Sequence, residues 1–183
     1  NDCAKAVRWA HDNREKLGVS SIIVLGESGG GNLAIASAIK ANKEGWIDNI
    51  DGVYAMAPML YGFYGAPPPN LMSWRENLDY MGSHAMMRAM RMAYDPNGEN
   101  HENPLAYPFA AKDNELLGLP PHIIVNYELD LIRDEGVAFA QRLRNSGVDA
   151  TSMIINGSNH CNEIAMPDVM PELTRDRLMS IAA

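Results

Sequence analysis

Cysteine is scarce in this sequence, with only Cys3 and Cys161 among 183 residues. Two cysteines so far apart do not make a disulfide framework, so we expect free thiols in a reducing compartment. No run of 18 apolar residues is present, which argues against a membrane-spanning helix. The first residues are too charged for a signal peptide. Because these residues carry no export signal, we expect a cytoplasmic protein with no membrane span.

Basic residues are also few, since 15 Lys and Arg face 23 Asp and Glu, for a net charge of −8. A protein that binds nucleic acid needs a basic stripe to meet the phosphates, so the composition excludes nucleic acid as a partner. Hydrophobic residues make up 46% of the chain. That is enough for one domain with a substantial core.

The most informative stretch runs over residues 21–41 and predicts a strand, a tight turn and a helix. Apart from Ser21, residues 21–25 are β-branched or apolar, as in a strand buried on both faces of a parallel sheet. GESGG at 26–30 fits the G-x-S-x-G pattern, and residues 32–41 carry apolar side chains at helical spacing. A phosphate-binding loop is disfavoured because no Gly-Lys-Ser/Thr follows.

This turn presents Ser28 as a candidate nucleophile. We expect positions 26 and 30 to require glycine, which has no Cβ, because a side chain at either position would collide with neighbouring elements. The Ser28 hydroxyl would then stand clear of the sheet. The backbone N–H of Gly29 would point to where a carbonyl oxygen becomes negative, and the helix dipole would support that charge.

The rest of the chain alternates strands and helices. Strands are predicted at 21–25, 52–57, 122–127 and 150–155, and helices at 3–17, 32–41, 134–146 and 168–182. Residues 59–115 break this alternation with glycines and prolines and form an excursion from the sheet, with helices predicted at 71–82 and 83–94. Such alternation predicts parallel strands with right-handed crossovers, with ligand sites beyond their carboxyl ends.

A serine nucleophile needs a base and a carboxylate that orients the base. Of the five histidines, only His160 lies in a loop directly after a predicted strand. For the carboxylate, Asp130 lies just past a strand end, whereas Asp134 fits the N-cap of the next helix, and Glu128 is the fallback. The order serine, aspartate, histidine is typical of the α/β-hydrolase type.

The motifs GESGGGN, ELDLIRDEG and NGSNH resemble the hormone-sensitive-lipase family of carboxylesterases, in particular its brefeldin A esterase-like branch. The resemblance covers essentially the whole chain. It implies an α/β-hydrolase fold, a mostly parallel sheet flanked by helices, over a single catalytic domain at 1–183. It also implies Ser28 as nucleophile, Asp130 as orienting acid, His160 as base, and no metal or organic cofactor.

Two departures from the family pattern affect these expectations. Cys161 stands where the family usually has a glycine after the histidine, and the HGGG-type oxyanion loop is missing from these residues. We therefore expect only the C-terminal part of the fold, from the nucleophile strand onward, with that strand as an unprotected apolar edge. A missing N-terminal segment or a second copy of the chain is the expected partner, and the chain alone should be a weak catalyst.

The expected function is that of a serine carboxylesterase acting on short to medium acyl esters or lactones through an acyl-enzyme on Ser28. Two alternatives stay open: a weakly active or inactive hydrolase fragment that serves as a binding or assembly module, and an amidase or acyltransferase on the same three residues. Phe63, Tyr64, Trp74 and Met86 could line the substrate pocket or simply fill the core. The methionine-rich face of 83–94 is more typical of core packing.

Overall fold

Four parallel strands form the sheet of this protein, whose computed structural model describes residues 1–62 and 68–182. The strands are β1 (Ile23–Glu27), β2 (Gly52–Met56), β3 (His122–Tyr127) and β4 (Ala150–Ile155). They lie side by side in the order β1-β2-β3-β4, so each strand pairs with its neighbour in sequence. The predicted sheet is therefore confirmed, and the bounds of β3 and β4 match the prediction.

Helices precede β1, fill the connections between the strands and follow β4. They are α1 (Asp2–Asp12), α2 (Arg14–Leu17), α3 (Gly29–Glu44), α4 (Ser73–Glu76), α5 (His84–Tyr94), α6 (Asp113–Leu116), α7 (Arg133–Asn145), α8 (Asn162–Ala165) and α9 (Pro171–Ala182). The opening helix, predicted as continuous, is broken at Asn13. The helix predicted at 71–82 shortens to α4, and the last helix begins later than predicted, at Pro171, after a separate short helix, α8.

The main core lies between the sheet and helices α3 and α7. Ile35 and Ile39 are one helical turn apart on α3 and are fully buried, as are Phe139 and Leu143 on α7. They pack in one cluster with Ile124 of β3. Side chains four residues apart share a helix face, so both helices present an apolar face to the sheet.

The two strands nearest the candidate nucleophile differ in burial. Every residue of β2 is buried, as in a central parallel strand. Residues of β1 alternate between exposed and half-buried, and Ile23 and Leu25 are exposed. The prediction that β1 is buried on both faces is therefore wrong, because β1 is an edge strand of the described sheet. The expected apolar edge is present there.

The segment between β2 and β3 is attached to the core through Glu135 of α7. Its fully buried carboxylate accepts hydrogen bonds from the backbone N–H groups of Leu60 (2.7 Å) and Tyr61 (2.9 Å) and from Nε1 of Trp74 (3.1 Å). Burial raises the pKa of Glu135 to about 7, although the nearby Arg91 and these donors act in the opposite direction. Trp74 is thus a core residue, while Phe63 and Tyr64 lie outside the described residues.

None of the helices in residues 1–62 and 68–182 combines the length and apolar character needed to span a bilayer. Over the same ranges, no three His, Cys, Asp or Glu side chains come together as a set of metal ligands.

Candidate active site

Ser28 occupies the turn between β1 and α3 in a strained backbone conformation. Its φ of 52° and ψ of −117° lie in a region that non-glycine residues rarely adopt. The turn is held because the Ser28 N–H donates to the Met56 carbonyl (2.8 Å), while the Ser28 carbonyl accepts from the N–H of Met59 (3.2 Å). The carboxyl end of β2 therefore supports the position of Ser28.

The two flanking glycines of the turn have different surroundings. A Cβ on Gly26 would lie 2.2 Å from the carbonyl oxygen of Gly30, so only glycine fits there. A Cβ on Gly30 would meet nothing within 4 Å, which corrects the expectation that both positions are crowded. The next glycine is the second crowded one, since a Cβ on Gly31 would lie 3.0 Å from Cβ of Pro58.

This difference gives a matched pair of substitutions. Gly26→Ala should lower the activity at the Ser28 site by at least about 100-fold. The turn must open to relieve the backbone collision, and this opening would move the Ser28 hydroxyl out of place. Gly30→Ala should retain activity and stabilise the helix by about 0.5–1 kcal/mol. Ester hydrolysis and urea unfolding of both variants check this pair. Equal losses in the two variants would contradict it.

His160 and Asp130 are brought together from the loops that follow β4 and β3. Nδ1 of His160 lies 2.7 Å from Oδ2 of Asp130, and Asp130 is only 4% exposed. A carboxylate only accepts hydrogen bonds, so Nδ1 carries the proton and Nε2 is left as the basic nitrogen. The other carboxylate oxygen, Oδ1, accepts the N–H of Ile132 (3.1 Å), which fixes the carboxylate plane.

Burial and the neighbouring Asp130 act on the pKa of His160 in opposite directions. Burial alone lowers the pKa of His160, but the hydrogen bond and negative charge of Asp130 outweigh it, so the pKa is raised above the usual value. His122 shows the contrast. It is buried at the start of β3, donates from Nδ1 to the Pro120 carbonyl (2.6 Å), and burial lowers its pKa to about 4.

The competing carboxylates have other contacts. Asp134 accepts the N–H of Ser73 (2.8 Å) and Nε of Arg133 (2.8 Å). It lies inside the first turn of α7, whose N-cap is Ile132, so its predicted N-cap role is wrong. Glu128 accepts the N–H of Gly157 (2.6 Å) and thereby joins the loops after β3 and β4.

Asn77 holds the loop after β3 that contains Asp130, and the sequence analysis did not predict this role. Its side-chain amide donates to the carbonyls of Glu128 and Asp130, each at 2.8 Å. The residue is 4% exposed and lies in the segment between β2 and β3, far along the chain from the loop it holds. No local pattern around an asparagine indicates such a contact, since only the folded chain brings the two segments together.

Cys161 adopts the left-handed conformation that glycine would favour at this position. Its φ is 50° and its ψ is 34°, and the side chain is buried. Burial raises the pKa of its thiol, which also contacts Tyr127. The loop nevertheless brings His160 to Asp130. The departure from the family pattern is therefore accommodated as local backbone strain, without displacing the imidazole.

Ser28, Asp130 and His160 line one cavity of about 320 Å³, together with Glu27. The other side chains that line it belong to methionine, leucine and isoleucine. Gly29 is the first residue of α3 and follows Ser28 directly. The N–H groups in the first turn of a helix have no partner within the helix. The arrangement thus combines a hydroxyl, a histidine–carboxylate pair and a helix N-terminus beside an apolar space.

Comparison with known proteins identifies relatives over most of the chain. The model of a family described as having the α/β-hydrolase fold matches residues 1–163. An arylesterase of Saccharolobus solfataricus is 32% identical over 162 residues, which cover 87% of this chain and 50% of the relative. The gibberellin receptor GID1A of Arabidopsis thaliana is 28% identical over 134 residues, 72% of this chain and 37% of that protein.

Among solved structures, brefeldin A esterase, described as a bacterial homologue of human hormone-sensitive lipase, superposes with a TM-score of 0.89 at 42% identity. The match covers 96% of this chain and 51% of that structure. The chain therefore spans about half the length of the esterases it matches. The resemblance drawn from the three motifs is confirmed, and the chain belongs to the α/β-hydrolase family, among the relatives of hormone-sensitive lipase.

Proposed function

We propose that the chain carries the nucleophile, acid and base of a serine carboxylesterase that hydrolyses esters of small molecules. The observation that carries this proposal is the 2.7 Å contact between Nδ1 of His160 and Asp130 in the same cavity as the strained Ser28. The names of the matched esterases support the reaction class. A cavity of about 320 Å³ lies at the small end of ligand sites, which supports short to medium acyl esters or lactones.

In the first half of the proposed reaction, Oγ of Ser28 attacks the ester carbonyl carbon while its proton passes to Nε2 of His160. Asp130 stabilises the imidazolium that forms. The Gly29 N–H and the amino end of α3 stabilise the negative oxygen of the tetrahedral intermediate. The bond to the alcohol oxygen then breaks, the alcohol takes the proton from Nε2, and the acyl group stays on Ser28.

In the second half, a water molecule attacks the acyl-enzyme and gives its proton to His160. The second tetrahedral intermediate collapses, the carboxylic acid leaves, and the proton returns to Ser28. If an amine or another alcohol replaced this water, the same residues would perform acyl transfer. Product analysis with and without an added alcohol separates hydrolysis from the acyltransferase alternative, and amide substrates test the amidase alternative.

A fluorophosphonate probe tests the proposal directly. We expect the complete native protein to gain the mass of one adduct, mapped to the peptide that contains Ser28, because only a serine activated by a base attacks phosphorus readily. The same protein unfolded in urea is the control and should not react. An adduct elsewhere, or none on the native protein, would count against the esterase function.

A second candidate, ligand binding without hydrolysis, is favoured by the match to a protein named as a receptor. It fits the same cavity but needs no nucleophile. A native protein that binds esters, yet gives neither product nor adduct, would support this candidate over the first.

A further inference from the structure

Four methionines line the cavity that contains Ser28, namely Met81, Met86, Met87 and Met90. We call Met81, Met86 and Met90 the methionine wall. Their exposed fractions are 49%, 43% and 43%, whereas the neighbouring Met87 is 6% exposed and packs in the core. The expectation that this face of the helix mainly fills the core is therefore right for Met87 alone. The wall is a free apolar surface beside the candidate nucleophile.

The helix that carries Met86 and Met90 is firmly held. On α5, Arg91 is 2% exposed and its Nε donates to the Tyr61 carbonyl (2.9 Å). Its guanidinium lies 4.9 Å from the ring centre of Trp74 and 3.8 Å from the carboxylate of Glu135. The helix start is capped as well, since the Ser83 hydroxyl accepts the N–H of Met86 (3.2 Å). The helix is thus anchored on its inner side, while the thioethers on its outer side keep their rotational freedom.

Methionine differs from other apolar residues in two ways that matter in this cavity. Its unbranched side chain has three rotatable bonds, so it can mould to a shape that leucine or isoleucine would not fit. Its polarisable sulfur also makes favourable contacts with aromatic rings, most often near the ring edge. Three such sulfurs on one wall favour a flat ring over a flexible alkyl chain, which gains only area burial from them.

The size of the cavity agrees with a ring. Its volume of about 320 Å³ is near the lower limit for ligand sites and accommodates one ring system. The polar groups of its lining lie at the reaction centre, with Ser28, Asp130 and His160, so the remaining surface discriminates by shape and polarisability.

We propose that the methionine wall binds an aromatic ring in the acyl or the alcohol half of the ester, which makes ring-bearing esters the preferred substrates. This inference rests on the proposed esterase function. It also explains why three large apolar side chains stand exposed together at the site.

The test replaces the wall by residues of similar volume that lack sulfur. In the complete protein, the triple variant Met81→Leu, Met86→Leu, Met90→Leu is compared with the wild type on two substrate pairs, benzyl acetate with hexyl acetate and methyl phenylacetate with methyl hexanoate. We expect the ratio of kcat/KM for the ring ester to that for the alkyl ester to fall about tenfold in one pair. The pair that responds identifies which half of the ester carries the ring.

Met92→Leu is the matched control, because Met92 lies on the same helix, is 47% exposed and does not line this cavity. It should leave both ratios unchanged. If the triple variant does not fold, Met86→Leu and Met90→Leu alone should each lower the affected ratio about twofold to threefold.

Three results would overturn the inference in distinguishable ways. Unchanged ratios in both pairs would mean that sulfur plays no part, as would equal losses on ring and alkyl esters. Either result leaves the esterase function intact. If the wild type hydrolyses none of the four esters, the proposed function fails and this inference fails with it.

Discussion

Replacing Ser28 with alanine should lower kcat/KM for p-nitrophenyl butyrate by about 10⁵-fold or more, the scale seen when an essential serine nucleophile is removed. The reason is that no acyl-enzyme can form without Oγ, and the remaining groups can only assist the direct attack of water. Fluorophosphonate labelling should disappear together with activity. Initial rates at substrate concentrations well below KM give the comparison directly.

The matched control for this variant is Ser21→Ala, at an exposed position just before β1. It should keep wild-type activity. For both variants, the free energy of unfolding measured in urea should lie within about 0.5 kcal/mol of the wild-type value. Activity that survives Ser28→Ala would reject the nucleophile assignment, whatever the other variants show.

Asp130→Asn should lower kcat/KM by about 10³- to 10⁴-fold while the fold stays intact, as expected when the acid of a serine–histidine–acid triad becomes an amide. An amide can donate to Nδ1 and so stabilise the wrong tautomer, with the proton on Nε2. It also supplies no negative charge to the imidazolium that forms during the reaction.

Asp134→Asn is the matched comparison, because it makes the same chemical change four residues away. Asp134 contacts Ser73 and Arg133 and does not line the cavity. We expect it to cost about 1–2 kcal/mol of stability and to leave kcat/KM within about threefold. The reverse result would show that the wrong aspartate has been assigned to His160.

The pH dependence gives an independent measure of the same pair. The base must be neutral to accept the serine proton, so kcat/KM should rise with pH through the pKa of His160, which lies above its usual value. In Asp130→Asn, the residual activity should rise at a lower pH because the charge that raises this pKa is lost. A midpoint that does not move between the two proteins would contradict the pairing.

Stability should respond to pH in the opposite direction. Because the folded pKa of His160 is raised, its contribution to stability is fully present below the unfolded value of about 6.5 and is lost as the pH rises through the folded pKa. The pH range in which His160 becomes an effective base is therefore also the range in which the ion pair stops contributing to stability.

Much of the fold was predictable from the sequence because its signals are local. Four short apolar runs separated by helical patterns predicted the parallel sheet, and the turn around Ser28 has a fixed residue pattern. The relation of His160 to Asp130 was predictable at the level of chain order, since both follow strands whose carboxyl ends meet at one edge of the sheet.

What the sequence could not predict depends on contacts between distant segments. Glu135 reads as an ordinary helix-surface carboxylate, yet it is fully buried because Leu60, Tyr61 and Trp74 bring three donors to it. The atom that would collide with a Cβ on Gly26 is the backbone carbonyl oxygen of Gly30, four residues later. Similarly, helical spacing alone does not tell which methionines of α5 are buried and which are exposed.

The order of the strands has a consequence for the proposed activity. In the described sheet, Ser28 follows one edge strand, β1, and His160 follows the opposite edge strand, β4. Farther along the chain comes α9, a helix with no buried residue. Opening of that last edge would separate His160, the proposed base, from Ser28, the proposed nucleophile, while the Ser28 turn and the central strands stay folded. The proposed activity would then be lost through a local opening, whose free energy is smaller than that of global unfolding.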